Sequence, residues 1–569
     1  MPNRWKTSSP LFFGLLGCFI PFSLSTSVFS EESLVNEENR EASKQKPPPT
    51  ADPIAQLQSL AQQSNYASWG FWGVKANEYS GWTNHSNRLI PVYVFGGSFA
   101  SYMGEQSIYR DQNRLESIYC KCPDSTCCST AEYGDQTDIY HLQRKAIEIG
   151  NKKYVFLVVF DGMDWQTTWV AATFASGKVD YRDGRGSGLA FQDYRGADTD
   201  YGYFVTSPHD EGLQPDVNTQ TLTTASASQF GGYDPKLGGE TPWAIAPDFA
   251  YPIGRSRAAP HAYTDSSSSA TSMTSGAKVF NGSVNVTHDL KKCETIAQWA
   301  QRERGFAIGT VTSVPFCHAT PAAAYAHNVS RDDYQDLARD MLGLRSVSHP
   351  TEPLAGLDVV IGCGWGENMN SSPKEIGVQG RNFVLGNKYI TEADLETIQG
   401  DVVHRYEVAQ RTAGKSGDRV LEQSAEQAIE KGSRLFGFFG AKGGHLPFAT
   451  ANEDFKPVRD VRDAEVYSPE DLNENPSLSS MTEAAIAVLE TNSKGFWLMV
   501  EAGDVDWANH ANNVDNSIGS VLAGDRAVSS IFSWIESHNA WAESLVVVTS
   551  DHGHYLNITD PSVFAIDSK

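Results

Sequence analysis

Acids and imidazoles stand where apolar runs end in this chain. Asp161 follows Tyr154–Phe160; Glu501 follows Phe496–Val500 and continues to Asp506 and His510; Asp551, His552 and His554 come just after Leu545–Thr549. His318-Ala319-Thr320-Pro321 lies a short loop beyond Phe306–Val311. One carboxylate after a strand is commonly a turn former or a helix cap. Several at once are different, because neighbouring strands of an open α/β sheet bring their carboxyl ends to one crevice. Imidazole mixed with carboxylate suits zinc, and carboxylate with a hydroxyl suits magnesium. A candidate nucleophile accompanies them in Thr264-Asp265-Ser266-Ser267-Ser268-Ser269-Ala270-Thr271, which runs into a helical segment. A serine at a helix opening lies where backbone N–H groups and the dipole favour an anion such as phosphate. Alone, that stretch reads as a Ser-rich linker with an N-cap; beside metal-type residues it reads as a nucleophile.

The elements that must position these groups are legible as alternation. Runs of strand type at Tyr154–Phe160, Phe306–Val311, Leu357–Ile361, Leu435–Phe439, Phe496–Val500 and Leu545–Thr549 alternate with helical segments. The latter are Thr271–Val279, Glu294–Arg304, Val420–Lys431, Met481–Thr491 and a long one over about Asn509–His538. The pattern predicts an α/β fold with a central, mainly parallel sheet and helices on both faces. Residues 180–261, rich in Gly, Tyr, Asp and Ser, and residues 363–415 read as large loop insertions.

The N-terminus carries Arg4 and Lys6, an apolar run Leu11–Phe22 and small residues up to Ser30, which is the organisation of a signal peptide over 1–30. Cys18, in Leu15-Leu16-Gly17-Cys18, leaves a lipid-anchored variant open. Residues 31–53, ending in a Pro-rich stretch, read as a disordered linker, 54–152 as an N-terminal region with a Cys-rich insertion, and 153–569 as the catalytic domain. The protein is expected to be exported, periplasmic or extracellular, with no membrane span after leader removal. A net charge of -24 over 569 residues disfavours nucleic acid as a binding partner. In an oxidising compartment Cys120, Cys122, Cys127 and Cys128 are expected to form two disulfides, with a zinc knot as the rival reading.

Thr264–Lys278 resembles the nucleophile segment of alkaline phosphatases, Asp-Ser-x-x-x-Ala-Thr continuing into a helix that ends Gly-x-Lys. The resemblance covers about Lys153–His554 and implies an alkaline-phosphatase-like fold, phosphomonoester hydrolysis through a phosphoserine on Ser266, and two zinc ions and one magnesium ion per chain as cofactors. It implies Arg331 as the phosphate-binding arginine and Asp161, Thr320 and Glu501 as magnesium ligands. Asp506 and His510 correspond to ligands of the first zinc, and Asp551 and His552, with Asp161 bridging, to those of the second. His554 resembles a neighbouring supporting imidazole, and His318 and Trp507 a variant pair beside the magnesium site. Small phosphomonoesters and a homodimer are the implied partners.

One feature of the family is not found downstream. A further histidine on the first zinc is expected some forty residues after the Asp-His pair, yet no His follows His554. An incomplete C-terminus is therefore expected, or completion of the site by another residue or water. Rival readings are a related phosphodiesterase or sulfatase-like hydrolase, and a metal- or phosphate-binding protein without turnover.

Overall fold

The computed structural model describes residues 52–122, 124–369, 378–400, 405–456 and 465–566. The expected leader with Cys18, and the linker up to residue 51, lie outside the described residues. Asp52 caps helix α1 (Pro53–Ser64) by accepting from Ala55 N at 3.0 Å, so the end of the expected linker is already helix.

Ten strands form one sheet. In chain order they are β1 (Ile90–Phe95), β2 (Gly134–Asp135), β3 (Tyr154–Phe160), β4 (Thr199–Val205) and β5 (Ala307–Pro315), then β6 (Val359–Cys363), β7 (Tyr406–Gln410), β8 (Arg434–Phe438), β9 (Phe496–Ala502) and β10 (Ser544–Ser550). Their spatial order is β7-β8-β6-β5-β9-β3-β10-β1-β4-β2. The first seven positions in that order are parallel, whereas β1 runs antiparallel to both β10 and β4. The α/β fold with a mainly parallel sheet is thus as expected, with one antiparallel strand inserted.

The central strands are apolar throughout because both faces are covered. On β3, Val155, Leu157 and Val159 pack with α3 (Gln136–Glu148), α5 (Ser266–Ser275) and α6 (Ile296–Arg304). Phe156, Val158 and Phe160 point the other way, against α4 (Trp165–Ser176), α7 (Gly417–Lys431), α8 (Leu478–Leu489) and α10 (Val514–Ser537). Among the described residues, no helix is long and apolar enough to cross a membrane.

Two stretches read as insertions contribute strands. Residues 180–261 supply β4 and residues 363–415 supply β7. Both are only partly buried on one face, and β4 carries Thr199, Asp200 and Gly202, so neither shows an apolar run. The expected long helix over 509–538 is two helices, α9 (Asp504–His510) and α10. The turn between them holds Asn512 at φ 51° and Asn513, whose side chain caps α10. Cys120, Cys127 and Cys128 are unpaired thiols in this structure, so the two expected disulfides are not formed.

Helix α5 ends at Gly276 (φ 69°), where a Cβ would meet Tyr140 at 2.5 Å. Just beyond it, the Lys278 ammonium lies 3.1 Å from Asp135, both side chains fully buried. Removing one member of such a pair strands the other charge. Lys278→Met is expected to cost about 3–5 kcal/mol, read as a fall in the urea midpoint; an unchanged midpoint would show that the pair is dispensable.

Candidate metal and nucleophile site

Strand register brings the acids together. Val159 is paired with Glu501, and Phe160 with both Ala502 and Ser550, so Asp161 and Asp551 leave adjacent strands side by side. Asp161 N donates to Ala502 O at 3.2 Å. Gly162 then turns the chain at φ 71°; its N–H donates to Asp551 Oδ1 at 2.9 Å, and its carbonyl accepts from Asn509 Nδ2 at 3.0 Å. A Cβ at 162 would meet the His554 ring at 2.7 Å. Gly162→Ala combines left-handed strain with that clash and is expected to destabilise by more than about 1 kcal/mol. Differential scanning calorimetry measures it, and an unaltered melting temperature would refute the close packing.

Ser266 is the first residue of α5, whose N-cap Asp265 accepts from Ser268 N at 3.1 Å. The cap fixes Ser266 at the anion-favouring end of the helix. Ser266 is 1% exposed, and its Oγ lies 3.3 Å from His552 Nε2 and 3.5 Å from Asp161 Oδ1. Arg331 Nη1 donates to Asp265 Oδ2 at 2.9 Å, which holds the guanidinium one residue from Ser266. Burial opposes charge on both, yet each stabilises the other: Asp265 is held below the usual carboxylate range and Arg331 above its ordinary value.

Around the serine, two groups of metal-type side chains share His552. Asp161, Asp551 and His552 form one; His85, Asp506, His552 and His554 form the other, with donor atoms within 4.8 Å of one another in each. His552 Nε2 is 3.2 Å from Asp161 Oδ1 and 3.4 Å from Asp551 Oδ2. His554 Nε2 is 2.5 Å from Asp506 Oδ1, and His510 Nε2 is 3.4 Å from Asp506 Oδ2. Glu501 lies beside Thr320 and accepts from Thr312 Oγ1. His318 and Trp507 stand together at 5.6 Å between ring centroids, with His318 stacked on Tyr334.

The residue missed in the sequence is His85. Its ring stacks on His552 at 3.9 Å, and its Nε2 is 3.7 Å from Asp506 Oδ1. Thr264 O holds its Nδ1 at 3.1 Å, just as Thr83 O holds His510 Nδ1 at 2.7 Å, so backbone carbonyls leave both Nε2 atoms facing Asp506. Such outer hydrogen bonds fix a ligand imidazole's tautomer and direction. His85 lies five residues before β1, the strand antiparallel to β10, so a segment far upstream of the Asp-His pair adds an imidazole to this cluster. The cue was a histidine five residues ahead of the apolar run Ile90–Phe95.

Electrostatics fit this donor set to divalent cations. Burial, then the neighbouring carboxylates of Asp551, Asp506 and Glu501, push the Asp161 carboxyl well above its usual range. Glu501 is pushed up to about 7, chiefly by burial, with Asp551 and Asp506 adding to it. Burial would raise Asp506 too, but His510, His554 and His85 more than offset it and hold it well below 3.8. Burial pushes His85 well below its ordinary value and His554 down to about 3, which favours ring nitrogens with a lone pair to offer a cation. Asp551 Oδ2 is buried without a hydrogen-bond partner. Uncompensated carboxylates at such depth are costly unless they face cations. A cavity of about 390 Å³ opens beside His510, lined also by His445, Phe448, Glu465 and Trp507.

The alkaline phosphatase family model matches residues 249–565. Similar proteins include alkaline phosphatase 3 of Bacillus subtilis, 27% identical over 51% of this chain and 49% of that protein. Alkaline phosphatase of Escherichia coli is 27% identical over 55% of this chain and 63% of that protein. The human tissue-nonspecific isozyme is 26% identical over 51% and 52% respectively. The matches thus span about half to under two thirds of these relatives' length. Among solved structures, a cold-active alkaline phosphatase from Shewanella sp. aligns with a TM-score of 0.41 at 21% identity, over 70% of this chain and 68% of that one. The family match, which takes in the nucleophile helix, Thr320, Arg331 and every acid and imidazole of strands β9 and β10, makes the chain a member of the alkaline phosphatase family.

Proposed function

We propose that the protein hydrolyses phosphate monoesters with Ser266 as nucleophile. Four buried carboxylates, Asp161, Glu501, Asp506 and Asp551, interleaved with imidazoles around one serine hydroxyl, carry this reading. In it, Asp506, His510 and His85 would hold a first zinc ion, Asp161, Asp551 and His552 a second, and Asp161, Thr320 and Glu501 magnesium. When bound, such ions neutralise phosphate charge and ease deprotonation of a hydroxyl or water.

The chain's own residues do the positioning. The start of α5 presents N–H groups to the phosphoryl oxygens, and Arg331, steadied by Asp265, offers its planar fork to two of them. Ser266 Oγ attacks phosphorus, the bond from phosphorus to the ester oxygen breaks, the serine proton passes through water to that oxygen so that it leaves as the alcohol, and a phosphoserine remains. Water then attacks the same phosphorus, releasing phosphate and returning Ser266. His554, hydrogen-bonded to Asp506, fixes that carboxylate's orientation. The organic part of the ester faces the cavity beside His510, where Trp507, His445 and Phe448 offer aromatic surface. Export through the N-terminal segment and a homodimer belong to the same proposal, testable by cell fractionation and light scattering.

The test is phosphate release from an aryl phosphomonoester by the chain supplied with zinc and magnesium. Chelator treatment is expected to lower it by at least about 100-fold, and re-addition of the ions to restore it. Turnover that survives exhaustive chelation overturns the proposal.

A further inference from the structure

A second cluster of metal-type side chains lies outside that centre and shares none of its residues. Cys120, His209 and His288 bring one donor atom each within 4.8 Å of one another. They come from three distant segments. Cys120 is the C-cap of α2 (Gln112–Tyr119), His209 opens a short strand pairing of Asp210–Glu211 with Gln229–Phe230, and His288 sits in the Thr287–Lys291 turn.

His209 is built like a ligand. It is 5% exposed, its Nδ1 is 2.8 Å from Asp210 Oδ2, and its Nε2 is buried with no hydrogen-bond partner. A carboxylate on one ring nitrogen and an unclaimed lone pair on the other is the arrangement that orients imidazoles toward zinc. His288 stacks on this ring, centroids 4.2 Å apart and planes 12° from parallel. Cys120 and His288 are exposed, so their side chains are free to close the last fraction of an ångström onto an ion. A thiolate with two imidazoles selects zinc-class ions over magnesium or calcium.

The contrast with His327, Asp340 and His349 is instructive. There Asp340 already accepts from Ser346 Oγ, His349 Nδ1 and His327 N, and His327 Nε2 lies 2.9 Å from Cys293 O, so the carboxylate and one imidazole nitrogen are engaged, although His327 Nδ1 has no partner.

We propose that Cys120, His209 and His288 bind one further ion of the zinc class, with Asp210 orienting His209 and water in the fourth position. The ion has a structural role. Asp210 O accepts from Asn281 N at 3.0 Å, and Asn281 Oδ1 in turn accepts from Asp265 N at 3.2 Å and Ser268 Oγ at 2.9 Å. An ion tying the Cys-rich segment to His209 thereby steadies the loop that supports the cap of the nucleophile helix. Binding releases the Cys120 thiol proton.

Cobalt substitution of the full chain tests this, because the carboxylate–imidazole centre contains no sulfur. Thiolate-to-cobalt charge-transfer absorption is expected in the wild type, together with one zinc equivalent more than in Cys120→Ser. The absorption should vanish in Cys120→Ser and in His209→Gln and persist in Cys127→Ser and Cys128→Ser. Circular dichroism on each variant shows that it is folded. Absence of the band in the wild type, or its survival in Cys120→Ser, overturns the proposal, and neither result touches the phosphatase reading, which phosphate release reports separately.

Discussion

Ser266→Ala is expected to lower turnover of an aryl phosphomonoester by about 10³-fold or more, with metal content and melting temperature close to wild type. The substitution deletes a single oxygen, the one placed 3.3 Å from His552 Nε2 and 3.5 Å from Asp161. It leaves the N-cap untouched, since Asp265 bonds Ser268 N and Arg331 without help from residue 266. Alanine is also a good helix former, so α5 has no local reason to fray. Residual activity would come from binding and charge neutralisation alone, as in other enzymes stripped of their nucleophile. Acid quenching during turnover of a phosphate-labelled substrate gives the second readout: label on the Ser266 peptide of the wild type and none on the variant. A variant that keeps wild-type turnover, or is still labelled elsewhere at equal yield, would move the nucleophile to another residue.

Much of the centre was legible because the strands that carry it are buried on both faces and leave unbroken apolar runs. Asp161, Glu501, Asp551 and His552 each sit within two residues of the end of such a strand. The sequence could not announce β1, β2, β4 and β7 in the same way. The two-residue β2 is too short for a period, and β4 and β7 expose polar residues on one face. β1 is fully buried, but its role depends on pairing with β10 across most of the chain, which periodicity does not encode. The cysteine-rich segment shows the same limit. Its spacing suggests disulfides or a metal, while the two imidazoles that stand beside Cys120, His209 and His288, are remote in sequence and reach it only through the fold.

His85→Ala is the sharper test of how this chain completes its centre. The imidazole lies between two supports, stacked on His552 and tethered by Thr264 O, two residues before the nucleophile. Burial holds its pKa well below the ordinary imidazole value, and its Nε2 faces Asp506 together with His510. If His85 is the third protein ligand of the first zinc ion, its loss leaves Asp506 and His510, one donor short of what a catalytic zinc site ordinarily has. Expected are a fall of at least about 100-fold in kcat/KM, a loss of bound zinc at limiting concentration, and partial recovery when external imidazole fills the space left by the ring. The recovery matters, because a variant impaired only by a disturbed β1 would not respond to imidazole. Full activity with unchanged zinc content would mean that water or another side chain takes the position, and His85 would then be a packing residue above His552.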